Sequence, residues 1–182
     1  ALSDLKLSPR MRRSIGAAVN GGHSLLLHGK PGNGKSSVAK RIVKMLGGAV
    51  LIPYAVDVGG QTIRVFDPRV HTLIAEPFVE RRTPSAVPWD GPERRRDQRW
   101  ALAERPVITV GGELTLEDLD LKYSPQTKFY LAPVQVLANC GVLLVDDFGR
   151  QKMRPDELLN RWIVPLEDGV DHYSLLSGET IE

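Results

Sequence analysis

Apolar positions recur at helical spacing from Met11 through Ile15 to Ala18 and Val19. The run begins behind Ser8-Pro9, a hydroxyl at the N-cap with proline at the first helical position, and stops at Asn20-Gly21-Gly22. A first helix is predicted there, followed by a buried strand over 24–28 on the continuous run Leu25 to Leu27. Helical spacing returns at Val38, Ile42, Val43 and Leu46, with Lys40, Arg41 and Lys44 on a solvated side, and Gly47-Gly48 ends the run. Ala49 to Ile52 predicts a second short buried strand, which Pro53 keeps from continuing as a central one. Tyr54 to Val58, Gly59-Gly60 and Gln61 to Phe66 predict a hairpin, and the phrase returns from Val107 to Leu114 around Gly111-Gly112. The flanks of the two phrases differ, so they reflect shared hairpin chemistry, not an internal repeat. Gly141 to Val145 reads as a strand buried on both faces. Pro155 to Asp168 reads as a helix with Leu158, Leu159, Trp162, Ile163 and Leu166 on one apolar side, Pro165 kinking or loosening its end. Tyr173 to Glu182, around Ser177-Gly178, predicts a third hairpin.

Two junctions of this pattern carry chemistry. Between the strand at 24–28 and the second helix, Gly29, Lys30, Pro31, Gly32, Asn33, Gly34, Lys35 and Ser36 fit G-x-x-x-x-G-K-[ST], a phosphate-binding loop. Its glycines let the backbone wrap a phosphate with N–H groups inward, and the following helix turns its positive end toward the anion. Gly29 to Ser37 are therefore the candidate nucleotide contacts, with Lys35 on the outer phosphates and the Ser36 hydroxyl placed to ligate Mg²⁺. The second junction is the end of the run at 141–145, where Asp146 and Asp147 emerge at the C-terminal edge of a strand. Alone, that pattern also fits a strand-to-turn boundary. Downstream of a phosphate loop it assigns Asp146 to the metal, through water, and Asp147 to polarising the attacking water. Arg150 and Arg154 follow in a basic turn, where solvation is favoured over phosphate contact.

Composition narrows this picture only slightly. A chain of 182 residues with a formal charge of +2 is of ordinary globular size, with no polybasic tail and no nucleic-acid footprint spread along it. Its one cysteine, Cys140, excludes an internal disulfide and is expected as a buried, reduced thiol in the run leading to Asp146. No apolar run approaches the roughly 18 residues of a membrane span, and no signal or lipidation motif is present, so a cytoplasmic location is expected. The stretch from 80 to 105 departs from its surroundings with Arg81-Arg82, Trp89, Arg94-Arg95-Arg96, Arg99 and Trp100. Three readings fit: a solvated insertion, a protein-partner or pore-facing surface, and a nucleic-acid track. The near balance from Glu80, Asp90, Glu93, Asp97 and Glu104 favours the first.

With both motifs in place, the chain resembles the AAA+ ATPases, in particular the MoxR-like and magnesium-chelatase-like branch. Gly29 to Ser36 stands as Walker A, Leu143 to Asp147 as Walker B, and Asp146-Asp147-Phe148-Gly149-Arg150 resembles that branch's Asp-Glu-x-Asn-Arg segment. Aspartate at 147 and glycine at 149 depart from it. The resemblance implies an α/β fold: a three-layer αβα P-loop NTPase core with a parallel sheet. Residues 1–182 would be one large subdomain, incomplete at the C-terminus, with β-hairpin insertions over 57–130. It further implies ATP and Mg²⁺ as cofactors, with hydrolysis driving protein remodelling or chaperone-like assembly in a homo-oligomeric ring, hexameric as a rule, acting on a protein client. Sensor residues, arginine finger and lid would lie beyond residue 182, and the missing sensor strand would leave these residues alone marginally stable and nearly inactive. A nucleotide-gated scaffold without turnover and a small-molecule P-loop kinase are the competing classes.

Overall fold

The structure, a computed structural model, describes residues 7–22, 24–30, 32–74 and 97–182. Among the described residues four α-helices, α1 (Pro9–Gly21), α2 (Lys35–Met45), the single turn α3 (Val134–Leu137) and α4 (Pro155–Glu167), punctuate ten short strands. The strands are β1 (Ala49–Pro53), β2 (Ala55–Val58), β3 (Gln61–Arg64), β4 (Trp100–Glu104), β5 (Val107–Val110), β6 (Lys122–Ser124), β7 (Phe129–Leu131), β8 (Val142–Val145), β9 (Tyr173–Ser174) and β10 (Thr180–Ile181). This is a mixed α/β arrangement with parallel sheet segments, consistent with a P-loop fold.

α1 forms as its caps dictate. Ser8 Oγ accepts the Met11 N–H at 3.2 Å, and Gly22, at φ 65°, returns its own N–H to the carbonyls of Ala18 and Val19. α1 and α2 pack on each other through Ile15, Val38 and Ile42, with Leu7, Val19 and Leu27 alongside. The strand expected over 24–28 does not form. A strand needs a neighbour to take its backbone groups, and no described strand pairs with this segment, so Leu25 and Leu26 are 40% and 75% exposed and only Leu27 packs inward.

The hairpin at 54–66 forms as its turn chemistry requires. β2 and β3 pair antiparallel with Val58 opposite Gln61, and Gly59 and Gly60 take φ of 57° and 76°, the two left-handed residues of a type I′ turn. They belong to a four-stranded sheet ordered β2-β3-β7-β6 in which β3 and β7 run parallel. The hairpin expected at 107–114 is absent. Neither Gly111 nor Gly112 adopts a positive φ, and β5 instead runs parallel to β8, Val107 opposite Val142 through Val110 opposite Val145. The chain beyond β5 turns inward, burying Leu114 at 1% exposure.

β1 is not the buried strand expected. It pairs antiparallel with β4 and alternates exposed and covered positions, Leu51 standing half open while Ile52 is buried. β8 likewise is only half buried at all four positions, because among the described strands β5 alone flanks it. Beneath β5 and β8 lies the largest core cluster, built on Ile108, Val110, Leu114, Leu119, Met153 and Leu158. Burial of each leucine there contributes about 1.5–3 kcal/mol. α4 supplies Leu158 and Trp162 to that core, but Leu159, Ile163 and Leu166 face outward, and the helix runs on past Pro165 to Glu167. β9 and β10 close the expected terminal hairpin. Of the Arg/Trp segment, residues 80–96 lie outside the described residues, 97–99 form a turn, and Trp100 to Glu104 are β4 itself. Among the described residues, no helix is long and apolar enough to cross a membrane.

Candidate functional site

The loop half of the site is shaped by its glycines. Gly29, Gly32 and Gly34 take φ of 149°, 83° and 74°, and Gly34 is the N-cap of α2, its carbonyl accepting the Val38 N–H at 2.9 Å. A side chain at such angles would be strained, which is why the motif spends glycine at these places. Pro31 lies outside the described residues. No side chain caps the start of α2 and no acid lies in its first turn, so the positive end of that helix meets no negative charge of its own. Lys35 folds back over the loop, its Nζ donating to the carbonyls of Gly29 at 2.8 Å and Lys30 at 3.1 Å. Asn33 and Ser37 are exposed beside it.

The acid half is carried by β8. Its ladder with β5 extends one step further, the Asp146 N–H donating to Val110 O at 2.8 Å, and the chain then turns sharply. Asp147 and Gly149 take φ of 51° and 91°. Asp147 donates its N–H to Asp146 Oδ1 at 3.0 Å, and Arg150 donates its own to Asp147 O at 3.0 Å. The Asp147 carboxylate is open to solvent, 68% exposed, with the Arg150 guanidinium 3.8 Å away. Arg154 is turned aside, paired with Asp156 at 2.6 Å.

The two halves meet at one point. Ser36 Oγ donates to Asp146 Oδ1 at 3.2 Å, joining residues 110 positions apart. Ser36 follows Lys35 in the first turn of α2, so the motif lysine and the acid pair stand at the same end of the molecule. A hydroxyl and a carboxylate are hard oxygen donors of the kind Mg²⁺ takes. Among the described residues no group of three or more His, Cys, Asp or Glu is gathered to hold a metal ion, so a cation here would need ligand oxygens from the nucleotide as well. A cavity of about 470 Å³ lies elsewhere, at the far end of α2 between Val43, Leu46, Arg105 and Val142.

Sequence reasoning missed what holds the acid turn. Gln151, read only as part of a basic turn, bonds three of its backbone groups. From behind, Lys152 N–H donates to Leu114 O at 3.2 Å, and a Cβ at Gly112 would come within 3.1 Å of Arg150 O. Glu113 accepts the Gly111 N–H at 2.9 Å, a contact that holds its carboxyl below the usual glutamate range. Only the glycine pair at 111–112 hinted at this packing. Cys140 corrects another expectation. It is exposed, because it occupies a left-handed turn at φ 60° ahead of β8, where Asn139 Oδ1 accepts its N–H and Arg105 bonds its carbonyl.

A glycine-shaped loop opening a helix, met by a carboxylate at the end of a parallel strand, is consistent with a P-loop fold. Residues 1–52, which contain the loop but not the acids, match the family model described as magnesium chelatase, subunit ChlI, a family of AAA+ type. No curated protein matches the chain.

Proposed function

We propose that the chain binds ATP with Mg²⁺ between the loop at 29–37 and the acid turn at 146–147 and catalyses its hydrolysis. We place it in a three-layer AAA+ core with residues 57–130 as an insertion, working in an oligomeric ring that remodels a protein client. The observation that carries the site is the contact between Ser36 and Asp146 at 3.2 Å. Each residue then has a stated part. The backbone N–H groups of Gly29, Lys30, Gly32, Asn33 and Gly34 and the acid-free start of α2 bind phosphate oxygens. Lys35 neutralises the outer phosphates, and Ser36 with Asp146 holds the cation. When bound, ATP·Mg²⁺ supplies a terminal phosphoryl group open to attack by water. Asp147, solvent-facing at the tip of the turn, orients that water and accepts its proton.

Steady-state phosphate release tests this. Asp147→Asn is expected to abolish release while ATP binding persists, and release at the wild-type rate from that variant would refute the assignment. A second reading, a nucleotide-gated scaffold without turnover, draws on the short aspartate arm at 147 and its Arg150 neighbour. It predicts ATP binding with no phosphate release by the wild type.

A further inference from the structure

Gln151 has no part in the chemistry outlined above, yet its side-chain amide bonds three main-chain groups of the acid turn. Nε2 donates to Asp146 O at 3.1 Å and to Asp147 O at 3.2 Å, while Oε1 accepts the Gly149 N–H at 2.7 Å. The turn so enclosed contains both left-handed residues of the acid segment, Asp147 at φ 51° and Gly149 at φ 91°. Such angles persist in a non-glycine residue only where the surroundings hold them. The backbone at Gly112 and Leu114 backs the segment, the turn closes on itself through Arg150 N–H to Asp147 O and Asp147 N–H to Asp146 Oδ1, and this amide ties three more of its main-chain groups together.

We propose that Gln151 is the positioning residue of the acid pair. Its amide locks the 146–149 turn, so that Asp146 stays opposed to Ser36 and the Asp147 carboxylate keeps one direction. Gln151 acts through geometry alone: it is uncharged and its bonds go to main-chain atoms. This role rests on the ATP-hydrolysis reading, because only a reaction at Asp146 and Asp147 gives the turn's exact shape a consequence. A glutamine that merely stabilised the fold would change the amount of folded protein. A positioning residue changes the rate of the folded enzyme.

Two variants separate these. Gln151→Met keeps the length of the side chain and removes every hydrogen bond, and Gln151→Glu keeps the acceptor for Gly149 but turns repulsive oxygen toward the two carbonyls. The measurements are steady-state ATP hydrolysis, affinity for a fluorescent ATP analogue with and without Mg²⁺, and the thermal midpoint, with Lys35→Ala as the control for the site. In both variants kcat is expected to fall about 10- to 100-fold, as on loss of other groups that orient a metal ligand, while Mg²⁺-free affinity stays within about twofold. The gain in affinity on adding Mg²⁺ should shrink as well. Wild-type kcat and wild-type Mg²⁺ gain in Gln151→Met, with Lys35→Ala inactive, would overturn the role of Gln151 and leave the ATP reading standing. So would a loss of activity that only tracks loss of folded protein. If the wild type binds the analogue without hydrolysing it, the Mg²⁺ gain still decides. A wild type that binds no nucleotide overturns the ATP reading and this role together.

Discussion

The glycine loop at 29–36 and the acid turn touch through the Ser36–Asp146 hydrogen bond, but they are held by different means. The loop hangs between α1 and α2, whose cluster of Ile15, Val38 and Ile42 is separate from the core beneath the acids. The segment leading into it pairs with no described strand, and residues 7–46 contain no aspartate or glutamate. The acid turn rides on β8, which pairs with β5 along its whole length, and it is latched by Gln151 and backed by Leu114. Glycine angles shape the loop locally, whereas the acid turn adds to its nearby Gln151 latch backbone bonds to Val110 and Leu114 from across the chain. A ligand spanning the junction should therefore order the loop more than the turn.

The strongest way to break this contrast is to damage only the acid half. A Cβ at Gly141 would sit 2.1 Å from Pro106 O, at the point where Val142 N–H bonds that same carbonyl and the β5–β8 ladder begins. Backbone cannot yield as a side-chain tip can, so Gly141→Ala should cost about 3 kcal/mol or more in urea unfolding. Wild-type stability would mean that this close approach does not set the register.

Damage to the loop half should look different. The Lys35 ammonium bonds exposed loop carbonyls, those of Gly29 and Lys30, so Lys35→Ala should leave the melting curve nearly unchanged. It should nonetheless remove about 2–4 kcal/mol of nucleotide affinity through loss of a charged phosphate partner. Titration with a fluorescent ATP analogue reads this, and undiminished affinity would exclude Lys35 from the site.

Two Asp-x-Arg turns repeat the local and remote contrast on a smaller scale. Arg69 and Arg99 each grip the aspartate two residues before them, at 2.6 Å for the closest pair, and hold Asp67 and Asp97 down to about 2. Asp67 is buried and its turn is tied to remote chain, its N–H donating to His71 Nδ1 while His71 Nε2 donates to Leu137 O. Asp97 is 42% exposed with only local bonds. A carboxyl depressed in the folded state stabilises above its unfolded pKa, and that contribution disappears as the pH falls from near 4 toward 2. Asp67→Asn should therefore cost about 1–2 kcal/mol at neutral pH, discounted for the exposed Arg69, and flatten the acid limb of the stability curve. Asp97→Asn should change both far less, because solvent screens that pair and its bonds are all local. Equal effects in urea melts between pH 2 and 7 would erase the distinction.

What could be read in advance follows the same division. The caps of α1 and the type I′ turn at Gly59-Gly60 are written in a few adjacent residues and form as expected, and Gly29, Gly32 and Gly34 take positive φ in the loop read as phosphate-binding. Gly111-Gly112 carries the same dipeptide as Gly59-Gly60, but β5 found a parallel partner 35 residues downstream, and no local signal announces that choice. Residues 24–28 and β1 read as buried strands because apolar runs record a wish for cover, not the presence of it. In α4 the apolar positions form two stripes, and only the one through Leu158 and Trp162 meets the core. Of the site, the residue types were legible; the Gln151 latch was not, since a glutamine in a turn has no distinguishing pattern.

The central claim is that one ligand bridges the loop and the acid turn, and a double-mutant cycle on Ser36→Ala and Asp146→Asn tests it most directly. With affinity for a fluorescent ATP analogue measured in Mg²⁺, the account predicts that the second substitution costs much less once the first is present, a coupling of about 1 kcal/mol or more. Independent, additive losses, or an Asp146→Asn variant that binds as the wild type does, would contradict it.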